Sequence, residues 1–151
     1  MDAELYRTSG QMIKLSNALI WFRNRELDAL GLTSSQFEVV RYLLLHIGEE
    51  VTAGVLMREL GLSQSTVAGI LKRLCDKCII DRRQDESDTR RSFVRLTPKG
   101  LALEEELQGI ALRSGDVLLR GMTEAEAADF YRLLSLALSN MNSVRDEARE
   151  A

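Results

Sequence analysis

The sequence has a single proline, Pro98, in 151 residues. Proline breaks helix interiors, so its scarcity permits long uninterrupted helices. Two cysteines cannot build a disulfide scaffold. One histidine, no glycine-rich phosphate loop and no nucleophile–base pattern leave no catalytic constellation, so an enzyme is not expected. No apolar run approaches the length of a membrane span. Met1-Asp2-Ala3-Glu4 lacks the basic region and apolar core of a secretory signal. Aromatics are only 5%, but hydrophobic residues reach 45%, too many for a disordered chain. The expectation is a cytoplasmic, soluble, globular protein without membrane contact. Its length fits one domain, or one domain plus the helices that pair it with a partner. The net charge of −3 argues at first sight against nucleic acid.

The residues present divide the chain into helices. Residues 4–30 read as one long helix. Leu5, Met12, Leu15, Leu19, Phe22 and Leu30 recur at helical spacing, and Ile13, Ile20 and Leu27 widen the stripe. That arc covers about half the circumference, more than the ~100° of a one-sided surface helix. Gly31 ends it. Thr33-Ser34-Ser35-Gln36 has capping-box spacing and starts a second helix. Its buried face is Phe37, Val40, Leu43, Leu44 and Ile47, and Gly48 stops it. Thr52 caps a short third helix. Ser63 caps a fourth, which carries Val67, Ile70, Leu71 and Leu74.

After Lys77 the helical period stops. Cys78-Ile79-Ile80 is a short apolar run, 82–91 is polar and charged, and 92–96 alternates as a half-buried strand does. A hairpin with a long charged tip is predicted. Thr97-Pro98 opens another helix running to Gly121. Thr123-Glu124-Ala125-Glu126 is a capping box for the last, with Phe130, Leu134, Ala137, Met141 and Val144 as its stripe.

Helix, tight glycine turn, helix and charged hairpin is the order of a winged helix-turn-helix. The second helix of such a pair enters the DNA major groove with its N-terminal residues near base edges. Here those residues are Ser63, Gln64, Ser65 and Thr66, with Lys72 and Arg73 on later turns. Arg90 and Arg91 in the hairpin suit the minor groove or phosphate. The charge distribution agrees. Residues 64–97 hold eight Lys+Arg and five Asp+Glu, whereas 1–31 are balanced, and 32–63 and 98–151 are acidic. A basic patch within an acidic chain is the relevant footprint for DNA. The fold class expected is mainly α with a small β-hairpin wing. An N-terminal helix (1–31) and C-terminal helices (98–151) flank the DNA-binding lobe (32–97).

The chain resembles the MarR family of transcriptional regulators over nearly its whole length. The resemblance is carried by Gly31-Leu32-Thr33 with Phe37, by Leu56, Glu59-Leu60 and Gly61-Leu62-Ser63, and by Ser65-Thr66-Val67 and Arg73-Leu74. It continues in Asp85-x-x-Asp88-x-Arg90 running into Leu96-Thr97-x-x-Gly100. It implies a homodimer made by the first and last two helices, two lobes reading a pseudo-palindrome in double-stranded DNA, and control by a small molecule, a metal or oxidation. A repressor is the expected role, with no required cofactor and an unidentified small-molecule effector. By analogy the effector candidates are Leu15, Trp21, Phe37, Arg41 and Leu44, where the dimer helices meet the lobe. Two departures stand out. Ala68-Gly69 replaces a pair that is basic or polar in many members. Cys78 stands where glycine is usual, at a cost of ~1 kcal/mol if the backbone is left-handed there.

Several residues have a plainer reading beside the functional one. The polar positions of the fourth helix could be an ordinary solvated face. Arg73 could instead pair with Asp88, which with Arg90 is spaced to order the wing. Cys75 and Cys78 form a Cys-x-x-Cys that suits a redox pair, although two structural thiols are the simpler account and no metal site is expected. Trp21 lies on the polar side of its helix, either packed along charged stems or contacting a partner or effector. The alternatives to a ligand-responsive repressor are a winged-helix module that binds protein and a thiol-based sensor.

Overall fold

Helix α1 runs Asp2–Leu27 and tightens into a 3₁₀ turn at Asp28–Leu30, where the sequence pattern reads unbroken α-helix to residue 30. Gly31 is left-handed, with φ +62°. Its amide bonds the Asp28 carbonyl at 2.9 Å, and the Leu32 amide reaches back to Leu27 at 3.2 Å. These two bonds satisfy carbonyls that the helix end would otherwise orphan. The computed structural model describes residues 2–150. One compact unit ends at Ser114 and a second begins at Gly115. Gly31 and Thr97-Pro98, where the sequence pattern divides the chain, both lie within the first unit.

Three helices follow. Helix α2 is Ser34–Leu45, α3 is Ala53–Leu60 and α4 is Gln64–Asp76. Each starts on a hydroxyl cap. Thr33 accepts from the Gln36 amide at 3.3 Å while Gln36 accepts from the Thr33 amide at 3.2 Å, a reciprocal box. Thr52 and Ser63 accept the Val55 and Thr66 amides. Ile47 was expected on the buried face of α2 but is 62% exposed, because the helix ends at Leu45 and its period no longer applies. The core joins Phe37, Val39 and Val40 of α2 to Leu56 of α3 and Val67, Leu71 and Leu74 of α4, all essentially inaccessible.

The end of α4 repeats the motif that ends α1. The Cys78 amide bonds the Cys75 carbonyl at 2.8 Å and the Ile79 amide bonds Leu74 at 3.0 Å. Cys78 therefore has φ +58°, the only non-glycine residue with positive φ among those described. Strand β1 (Ile80–Gln84) then pairs antiparallel with β2 (Ser92–Leu96), Ile80 facing Leu96 and Gln84 facing Ser92. The hairpin docks through the segment before α3. The Val94 amide donates to the Val51 carbonyl at 2.7 Å, and Thr52 bridges to Phe93.

The helix expected from Thr97-Pro98 to Gly121 is two helices, α5 (Pro98–Leu101) and α6 (Glu104–Leu119). The first turn is held against the entry of the hairpin, the segment just before β1. Thr97 Oγ1 donates to the Cys78 and Ile79 carbonyls, and a Cβ on Gly100 would overlap the Ile79 oxygen. The chain then tightens, with the Leu103 amide on the Gly100 carbonyl, before α6 begins. Leu107 and Ile110 of α6 complete the core. In the second unit α7 (Glu124–Glu150) starts on the Thr123–Glu126 box. Hydrogen bonds from the Thr123 amide and then its hydroxyl hold the Glu126 carboxyl below its ordinary range.

Much of the apolar stripe on each long helix is exposed. Among the described residues of α1 only Leu27 is fully buried, while Leu5, Ile13 and Trp21 are each more than half exposed. On α7, Leu133, Leu136, Leu138, Met141 and Val144 are also exposed.

Two substitutions flanking the hairpin have opposite expected signs. Cys78→Gly removes the left-handed cost and should stabilise by about 0.5–1 kcal/mol. Gly100→Ala forces a methyl group into backbone and should destabilise by roughly 2–3 kcal/mol. Urea unfolding of both variants checks the pair.

Candidate nucleic-acid interface

Helix α4 turns one face inward through Val67, Ile70, Leu71 and Leu74. The opposite face carries Gln64, Ser65, Thr66, Lys72 and Arg73, all exposed. Ser63 plays a different part from its neighbours. Its Oγ accepts the Thr66 amide at 3.2 Å and lies 2.8 Å from Thr66 Oγ1 and 3.2 Å from Ser65 Oγ. It caps the helix and orders the two hydroxyls that follow. Lys72 pairs with Asp76 at 3.9 Å, but both side chains are exposed and such a pair contributes little. The lysine is thus available to phosphate. At Gly69 a Cβ would meet nothing within 4 Å, so Ala68-Gly69 leaves an open, shallow stretch beside these groups.

The wing tip is folded by its acids. Asp85 Oδ1 accepts the amide and hydroxyl of Ser87 at 2.9 and 2.7 Å, and the Asp85 amide donates to the Arg91 carbonyl at 3.0 Å. Asp88 Oδ1 accepts the Arg90 amide at 3.0 Å and its carbonyl accepts the Arg91 amide at 2.9 Å. Gln84 Nε2 closes the loop on the Thr89 carbonyl. These are side-chain-to-backbone turns of the kind aspartate forms two residues on. The Ser87 hydroxyl, followed by its amide, holds the Asp85 carboxyl below the usual carboxylate range. Asp88 is thus occupied with the Arg90 amide, and no ion pair to Arg73 is formed. Arg90 and Arg91 are exposed, the latter with its guanidinium 5.7 Å from the Phe93 ring centroid. Asp85, Ser87 and Gln84 were not singled out from sequence as ordering groups, although the Asp-x-Ser spacing carries the signal.

A family model described as MarR family matches residues 30–91. The chain is 30% identical over 131 residues to the organic hydroperoxide resistance transcriptional regulator of Bacillus subtilis (strain 168), covering 87% of this chain and 80% of that protein. The chain belongs to the MarR family. MarR proteins are transcriptional regulators and not enzymes, and this chain is a DNA-binding regulator of that kind. Its fold is similar to that of the S. aureus MepR–DNA complex, with TM-score 0.82, 26% identity and coverage of 87% of this chain and 96% of that one. It is also similar to a MarR regulator from Methanosarcina mazei Go1, with TM-score 0.82, 23% identity and coverage of 91% and 99%.

Away from this face, the five effector candidates separate. Phe37 is fully buried, with the Arg23 guanidinium over its ring at 5.1 Å. Trp21 is 62% exposed beneath the Arg25 guanidinium. Leu15 is half-buried. Arg41 and Leu44 share a cavity of about 220 Å³ with Leu107 and Gln108. Arg41 also borders a cavity of about 400 Å³ with Leu19, Arg23 and Glu38. Arg23 and Arg41 both pair with Glu38, which lies between them. This arrangement was not visible in the sequence, since the first arginine is fifteen residues from the acid. Cys75 is half-buried and Cys78 exposed, both as free thiols. Burial pushes the Cys75 thiol up, away from the reactive thiolate.

Ser87→Ala removes the main cause of the Asp85 shift. The Asp85 carboxyl should then titrate closer to an ordinary aspartate, which carboxyl carbon chemical shifts against pH will report.

Proposed function

We propose that this MarR-family regulator acts in the cytoplasm as a homodimeric repressor, covering a pseudo-palindromic operator and releasing it when a small organic anion binds. The observation that carries the dimer is the uncovered apolar surface on α1 and α7. Large exposed apolar patches mark interaction surfaces, and a helix of 26 residues cannot bury half its circumference against one small lobe. A second copy supplies a matching surface by symmetry. Two recognition helices then meet half-sites about 34 Å apart, one turn of DNA.

Support for an anionic effector comes from Arg23 and Arg41, which converge on Glu38 beside Leu19 and Ile20. A ligand carboxylate can compete with Glu38 for either guanidinium while its apolar part covers the leucine and isoleucine. Such a ligand changes DNA affinity only through a difference in its affinity for the two arrangements of the lobes. Thiol sensing has less support, since the burial of Cys75 works against thiolate formation.

Three measurements test the reading. Sedimentation should give twice the chain mass, and a monomer at micromolar concentration would remove the dimer. Affinity for a duplex selected from a random pool should fall steeply with salt, and Arg90→Ala and Arg91→Ala should each lower the log–log slope by about one. A panel of aromatic and aliphatic carboxylates should contain one that weakens this binding in the wild type but not in Arg41→Ala.

A further inference from the structure

Two connections join the lobe to the end helices, the Gly31 turn after α1 and Thr97-Pro98 before α5. Both are bonded to one short segment, 77–79, at the end of the recognition helix. Lys77 Nζ donates to the Gly31 carbonyl oxygen and, at 3.3 Å, to Gln36 Oε1. The Lys77 carbonyl accepts from Lys99 Nζ at 2.8 Å. The Cys78 carbonyl accepts from Thr97 Oγ1 at 2.6 Å, and that of Ile79 from the Thr97 amide at 3.0 Å. We propose that Lys77 is a positioning residue for DNA binding, fixing the recognition helix to the turn that ends α1 without itself touching DNA.

The lysine is unusual among the cations of the basic segment. It is half-buried, its ammonium is bonded to two neutral oxygens of the α1–α2 turn, and it forms no ion pair with a described carboxylate. An ammonium has three donors and no acceptor, so it can hold two oxygens of one turn at once. Those oxygens are themselves fixed. Gly31 is the left-handed residue closing α1, and Gln36 Oε1 also accepts the Thr33 amide in the α2 capping box. Gln36 is 2% exposed, so it does not swing to follow a displaced partner. A cation spent in this way contributes little to phosphate attraction. It contributes instead to how narrowly α4 is held before DNA arrives, and pre-ordering raises affinity by cutting what binding must order.

Salt dependence separates the two roles, because a phosphate contact releases counterions and a positioning contact does not. The full-length protein is titrated with a duplex selected from a random pool by the wild type, by fluorescence anisotropy over a range of salt. Lys77→Met is expected to lose roughly tenfold in affinity, the scale of one charged hydrogen bond, with the salt slope unchanged. Its thermal midpoint should stay within a few degrees of wild type, and Lys77→Arg should recover most of the affinity. Arg90→Ala serves as the contrast, its slope being shallower by about one. If Lys77→Met does not fold, Lys77→Gln takes its place under the same criteria. Unchanged affinity, a slope shallower by about one, equal loss in Lys77→Arg, or unfolding of both neutral variants would each overturn the proposal. A wild type that selects no duplex would overturn the DNA-binding assignment and this proposal with it, whereas the other outcomes leave that assignment standing.

Discussion

At Cys78 the chain turns left-handed, and the amides of residues 78 and 79 fold back onto the Cys75 and Leu74 carbonyls near the end of α4. Everything downstream depends on that reversal. It turns the Cys78 and Ile79 carbonyls toward Thr97, whose hydroxyl and amide take them up. It brings the Ile79 carbonyl against Gly100, where no side chain larger than hydrogen fits. It sends Ile80 into the core at the start of the wing. A cysteine accepts this conformation at a cost of about 1 kcal/mol, small against the bonds that the turn makes possible.

The features legible in the sequence are those decided within a few residues. Thr33–Gln36, Ser63, Thr97-Pro98 and Thr123–Glu126 announce their helices because cap and amide are three residues apart. Fold class followed from the order of such signals. The break between α5 and α6 was illegible, since the apolar period runs through it. In the site, polarity and charge marked the outward face of α4 and the arginines of the wing. The division of labour among them was hidden, because Ser63 differs from Ser65 only in being the cap. Contacts such as Lys77 with Gly31, or Arg23 with Glu38, leave no local pattern at all.

The wing shows why a charge count understates a basic surface. Its tip holds nearly as many acids as bases, which on paper is a weak attractor of DNA. Asp85 and Asp88 instead bind amides and a hydroxyl within the tip. No described carboxylate lies within ion-pair distance of Arg90 or Arg91. The acids shape the loop and leave those two guanidinium groups without an ion pair to a described carboxylate that DNA would have to displace. That matters more for binding than the net charge of −3, because the field that steers and holds DNA is local.

In the proposed dimer, the partner surface of α1 and the turn closing α1 belong to one rigid element. A helix of 26 residues is about 39 Å long and resists bending, so a shift of its uncovered stripe reaches Gly31 with little loss. There the next link is the ammonium of Lys77, at the end of the recognition helix. Spacing between two such helices must match one turn of DNA, ~34 Å, and a mismatch of a few ångströms would remove contacts at one half-site. In the proposed reading, the cavity bordered by Arg23, Glu38 and Arg41 lies beside this path, where a bound ligand would have leverage. In that reading, a ligand that rearranged the ion pairs of Arg23 and Arg41 with Glu38 would act where α1 meets α2, and no large movement along the path would be required.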